Sequence, residues 1–98
     1  LISIFKMTAY SKPTDAERIA ACFAMLERRC REVGTWISGD GRVGEDAAAA
    51  LLGWAPGTMA NRRLEGSAPP HYRLGGNGHR VTYSLRDLAE WIERRRCE

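Results

Sequence analysis

Long apolar runs are missing from this sequence, and with them any helix able to cross a bilayer, which needs about 20 consecutive apolar residues. The opening LISIFK has neither the basic flank nor the length of a secretory signal. Cysteine is scarce. Cys22, Cys30 and Cys97 are odd in number and form no C-x-x-C pair, which argues against a disulfide framework and against zinc-ligand spacing. A reduced, cytoplasmic setting is expected. Histidine occurs only at His71 and His79, neither with an acid or cysteine close by in sequence, and there is no P-loop or dinucleotide fingerprint. Catalysis, a metal site and a cofactor are therefore not expected.

Lysine is also rare: thirteen of the fifteen basic residues are arginine, against twelve acids, for a net charge of +3. The planar fork of arginine suits phosphate and guanine edges better than a lysine point charge does. The excess is local as well. From Arg62 to Arg86 there are five arginines and the single acid Glu65. At 98 residues the chain is long enough for one modest core. Residues 1–13 are expected to be a flexible lead, with Met7 a candidate start, and residues 14–98 a single domain.

Thr14 and Glu17 stand in capping-box spacing, and Gly34 is a plausible left-handed stop, which frames a helix over 14–34. Ile19, Phe23, Leu26, Cys30 and Val33 draw one apolar seam along it. That amphipathic helix either lies on the core of its own domain or pairs with its twin in a dimer. Next, Thr35 to Ser38 and Arg42 to Val43 favour β structure around Gly39–Asp40–Gly41, as a hairpin or only a linker. Glu45 and Asp46 suit the positive end of a helix dipole ahead of AAAALL.

The stretch GTMANRRLEG, between WAP and SAPP, predicts a helix of barely two turns, with Pro56 in its first turn. Two short helices about a glycine-containing turn form a helix-turn-helix pattern. Tyr72 to Leu74 and His79 to Tyr83 then flank the turn GGNG as a hairpin. Ser84 and Asp87 begin a last helix whose buried face carries Leu85, Leu88, Ala89 and Ile92 and whose end is RRR. The expected class is mostly α with a small β-hairpin wing: a winged helix-turn-helix preceded by an amphipathic helix.

From Val43 to Arg96 the sequence resembles the excisionase-like and MerR-type winged helices of phage and mobile-element proteins. GEDAAAALLGWAPGTMANRR is similar to that family's first helix, turn and recognition helix, GSAPPHYRLGG to the approach to its wing, and RVTYSLRDLAEWI to its closing strand and helix. The resemblance implies double-stranded DNA as partner, bound by a homodimer or cooperative oligomer, with an integrase or RNA polymerase as a further partner. It also places a commonly aromatic residue where Arg62 stands and a capping serine where Ala55 stands.

Rotating the short helix by about 100° per residue, with Met59 inward, turns Thr58, Ala60, Asn61, Leu64 and Glu65 outward. Asn61 is the candidate base reader, since an asparagine makes a bidentate contact to adenine; otherwise it is an exposed polar residue. Thr58 either bonds a phosphate or caps its turn. Arg62 and Arg63 fall beside Met59 and are expected to emerge at the DNA backbone, or to pair with Glu65 or another acid. On the wing, Arg73, Asn77, His79 and Arg80 are candidate backbone contacts. The terminal ERRRCE reads as a solvated helix end, and Trp36 and Trp54 as core.

Three roles remain open: a regulator or recombination directionality factor, the DNA-recognising subunit of a phage packaging complex, and a protein-interaction module that kept the fold and lost DNA binding.

Overall fold

Thr14 starts the first helix through a reciprocal pair of bonds. Its Oγ1 accepts from the Glu17 amide at 3.1 Å, and Glu17 Oε1 accepts from the Thr14 amide at 2.7 Å. Helix α1 runs over Asp15–Val33 and stops at Gly34, whose φ of 71° is the left-handed conformation that favours glycine. The computed structural model describes residues 11–75 and 80–98.

Helix α4, Leu85–Arg94, opens on Ser84, whose hydroxyl accepts from the amides of Arg86 and Asp87. It packs along α1. Ile19, Cys22, Phe23, Leu26 and Cys30 meet a core that includes Leu85, Leu88, Ala89 and Ile92. Most of the α1 seam is thus occupied within the chain rather than offered to a twin. Only its last member, Val33, stays exposed. Cys22 and Cys30 serve as small apolar fillers, and burial pushes both thiols above their usual pKa.

Three short strands form one antiparallel sheet in the order β1–β3–β2: β1 is Arg42–Gly44, β2 Tyr72–Arg73 and β3 Val81–Ser84. Val43 faces Tyr83, Tyr72 faces Thr82, and Arg73 faces Val81. The stretch from Thr35 to Arg42 is therefore a linker closed by a tight turn, in which the Ser38 amide donates to the Arg42 carbonyl at 2.8 Å. Its second β-favouring piece pairs with β3, far along the chain, and so the expected two-stranded hairpin becomes a three-stranded sheet.

Between the strands lie two short helices, α2 over Glu45–Leu51 and α3 over Thr58–Glu65. The turn joining them passes through positive φ at Gly53 and Gly57. Pro56 sits in that turn, ahead of the first helical turn where the sequence placed it. Ala48, Ala49 and Met59 point into the core beside Val43, Tyr83 and Leu88. Mostly helical with a small antiparallel sheet is thus the architecture. Among the described residues no helix is long and apolar enough to cross a membrane.

Because Leu88 is completely buried between α1 and the sheet side of the core, Leu88→Ala is expected to destabilise the fold by about 2–5 kcal/mol. Thr14→Ala, which loses one cap at an exposed end, is expected to cost about 1 kcal/mol. Urea unfolding followed by far-UV circular dichroism checks both values and their order.

Candidate nucleic-acid interface

Glu45 is the first residue of α2, where a carboxylate meets the positive end of the helix dipole. Two further elements converge on it. Arg63 of α3 donates from Nε to Oε2 at 2.8 Å and from Nη2 to Oε1 at 3.2 Å, and Tyr83 of β3 donates its hydroxyl to Oε2 at 2.7 Å. One carboxylate therefore ties α2, α3 and the sheet together. The bonded guanidinium holds the Glu45 carboxyl below the usual carboxylate range, against the opposing effect of burial. Burial, and then the neighbouring carboxylate, push the Tyr83 phenol well above the usual tyrosine range, so it remains a neutral donor at neutral pH.

Of the two expectations for Arg63, the structure shows pairing with another acid: its fork is engaged by Glu45 and its side chain is only 17% exposed, which positions α3. The inward half of the helical wheel explains why: an arginine beside a buried methionine needs a local carboxylate, and Glu45 supplies it. Glu65, the nearest acid in sequence, is exposed on the other side of the helix.

With Met59 buried and Arg63 clasped, α3 turns Asn61, Leu64 and Glu65 to solvent. Thr58 and Ala60 are half-buried at the borders of that face. Thr58 does not cap the helix: Gly57 occupies the N-cap, and no side chain bonds the free amides there. The backbone supplies a partner for the first of them instead: the Thr58 amide donates to the Ala55 carbonyl at 3.1 Å. Arg62 lies on the opposite flank from Arg63, with its guanidinium carbon 4.7 Å from the Trp54 ring centroid. Arg62 thus covers an aromatic ring contributed by the preceding turn.

Strand alternation separates the two arginines expected on the wing. Arg73 pairs with Val81, and it shares that face of the sheet with Val43 and Tyr83, the face that carries the Glu45 clasp. Arg80 precedes Val81 and turns the other way. Its guanidinium lies 4.8 Å from the ring centroid of Trp36, which is 50% exposed and not the core residue its type suggested. On the same outer face Arg42 reaches over Tyr72 and donates to Thr82 Oγ1. Of the wing candidates, then, Arg73 stands on the α3 side and Arg80 on the far side. Asn77 and His79 lie outside the described residues.

No carboxylate lies within salt-bridge distance of Arg28, Arg62, Arg73, Arg80, Arg86 or Arg95 among the described residues, whereas Arg18, Arg29, Arg31, Arg42, Arg63, Arg94 and Arg96 are each paired. Arg62 and Arg73 thus stand without an acid partner, and so does the carboxylate of Glu65 on the exposed face of α3, which is in no ion pair among the described residues. Sequence reasoning missed Glu45 and Tyr83 as the parts that orient this surface. The signal available was Arg63 itself, a cation at a nearly inward wheel position. Among the described residues no group of three or more His, Cys, Asp and Glu side chains is placed to hold a metal ion.

Comparison of the chain with protein-family models, with curated proteins and with solved structures finds no match.

Because its carboxyl titrates lower in the folded than in the unfolded chain, Glu45 contributes stability that is complete above the unfolded carboxylate pKa and fades as pH falls through the folded value. Glu45→Gln is expected to lose about 1.5–3 kcal/mol at neutral pH, the range for a hydrogen bond to a charged group. The gap from the unaltered protein should shrink below about pH 4. Urea unfolding of both proteins from neutral to acid pH measures it; a gap that is constant with pH would show that the carboxylate charge does not contribute.

Proposed function

We propose that the chain is a sequence-specific double-stranded DNA-binding protein built as a winged helix-turn-helix. In this reading α2 and α3 are the two helices, α3 enters the major groove, and β2 with β3 forms the wing on the flanking backbone. The biological role that fits is a transcriptional regulator or an excisionase-like recombination directionality factor of a phage or mobile element. It works without a cofactor, meeting an integrase or RNA polymerase. A module this small presents a limited interface, so it binds as a homodimer or cooperatively along repeated sites.

The observation that supports this most is the exposed face of α3. Asn61 is turned to solvent on a helix fixed from behind by Met59 and the Glu45 clasp, with Arg62 next to it in sequence and Arg73 on the α3 side of the sheet, neither in an ion pair among the described residues. Each part has a role. Asn61 reads adenine through its paired donor and acceptor, and Ala60 brings an apolar methyl of the kind that meets thymine. Thr58, at the α3 start, and Arg62 and Arg73 bind phosphates and set the register.

A second reading has its own observation: Leu64 is 79% exposed on the same face. A protein-interaction module would use it as an apolar anchor. The α1 seam no longer supports that reading, because α4 covers most of it.

Affinity for duplex DNA is expected to fall steeply with salt, as counterion release requires, whereas an interaction module would bind DNA weakly or without salt dependence. Against a preferred site selected from a random library, Asn61→Ala should lose about 1–3 kcal/mol while non-specific affinity is nearly kept. Arg73→Ala should weaken all sequences alike and lower the salt slope by about 0.9. Sequencing the bound pools of both variants measures the division; identical sequence profiles would contradict it.

A further inference from the structure

Every tryptophan in this chain carries an arginine over its ring. Arg62 lies 4.7 Å from the Trp54 centroid, Arg80 4.8 Å from Trp36, and Arg95 3.7 Å from Trp91. None of these arginines has a carboxylate partner among the described residues. The distinction matters for charge. A carboxylate cancels the guanidinium charge and takes its donors, whereas a ring face attracts the cation and leaves both the charge and the edge N–H groups for an incoming anion.

Two of these columns are joined into one. Trp54 and Trp91 meet edge to face, with centroids 5.6 Å apart and planes at 88°. The flank of α3 thereby continues from Arg62, through the two indoles, to Arg95 just past the end of α4. Arg95 is further fixed by an Nη1 donation to the Trp91 carbonyl at 3.1 Å. Its neighbours in sequence are different. Arg94 is held by Glu90 at 2.6 Å and Arg96 by Glu98 at 2.8 Å, while Glu93 faces Arg18 of α1 at 3.7 Å. Of the terminal triplet, only Arg95 keeps a free charge. The Arg80 column lies on the outer face of the sheet and has no indole link to the others.

We propose that Arg62 and Arg95, aligned by the Trp54–Trp91 pair, form a single phosphate-binding track for one strand of duplex DNA, on the flank of α3 opposite the Arg63–Glu45 clasp. The track presupposes the DNA-binding role proposed above and extends it to the end of α4, which the sequence presented as an ordinary solvated terminus. Stacking on the indoles restricts both guanidinium groups before any phosphate arrives, so less side-chain freedom is lost on binding. The contacts are to backbone and carry no sequence information.

The test is fluorescence anisotropy with a labelled mixed-sequence duplex two helical turns long, titrated over a salt series. Arg62→Ala and Arg95→Ala are each expected to flatten the plot of log affinity against log salt by about 0.9, the value for one lost phosphate contact. Arg28→Ala removes another exposed arginine, from α1, that has no acid partner among the described residues, and is expected to leave the slope unchanged. An Arg95→Ala slope equal to that of the unaltered protein overturns the track while the DNA-binding role stands. The track is overturned equally if Arg28→Ala flattens the slope as much, since the charge would then act from anywhere. If the unaltered protein shows no salt-dependent binding, the role itself fails and the track with it.

Discussion

The Glu45 carboxylate is the constraint on which the rest of this surface depends. An eight-residue helix of polar composition is marginal by itself, because nucleation is unfavourable and few internal bonds follow it. α3 has one buried side chain, Met59, and no side-chain cap at its start. A single apolar anchor fixes how close the helix lies but leaves rotation about its own axis poorly determined. The bidentate Arg63–Glu45 pair removes that freedom, since a planar fork on a carboxylate defines an angle as well as a distance. Tyr83 extends the same carboxylate to the sheet, and so α3 and β3 are referenced to one atom, Glu45 Oε2.

The arginines of the chain divide by what neutralises them. Those that build the fold are matched to acids: Arg63 to Glu45, Arg42 to Asp40 and Arg18 to Asp15. Those on tryptophan rings are held in place without being neutralised. Surface ion pairs elsewhere contribute little to stability, yet they cancel charge where they occur and leave Arg62, Arg73 and Arg95 as cations with no acid partner among the described residues.

Features set by local chemistry were legible in the sequence. The Thr14 capping box, the Gly34 stop, the α1 seam and the outward turn of Asn61 and Leu64 follow from spacing alone, and all reappear in the fold. Features set by distant partners were not. Nothing in Arg42–Gly44 says that it pairs with residues beyond position 80, and so the β-favouring piece there read as one arm of a local hairpin or as a linker. The choice of Glu45 over Glu65 for Arg63 depends on how α2 and α3 cross, which a helical wheel does not contain. The separation of Arg73 from Arg80 could have been read from the period of two, but only once the register of Arg73 opposite Val81 was known. Trp36 was misplaced for a related reason. Its size suggested core, and the arginine that half-covers it comes from a point far along the chain.

Two features around the start of α3 fit together physically. No side chain caps the helix, which forgoes roughly 1 kcal/mol, and the Thr58 amide donates to the Ala55 carbonyl at 3.1 Å instead. Trp54, from the preceding turn, carries Arg62 on its ring face, which places a positive charge on that flank. Both features leave the helix with little intrinsic hold of its own. Such a helix is ordered mainly by its partners, Glu45 on one side and Trp54 on the other. The orientation of Asn61 is therefore a property of α2 and the turn as much as of α3, and a change at Glu45 or Trp54 would alter what Asn61 reaches without touching the surface itself.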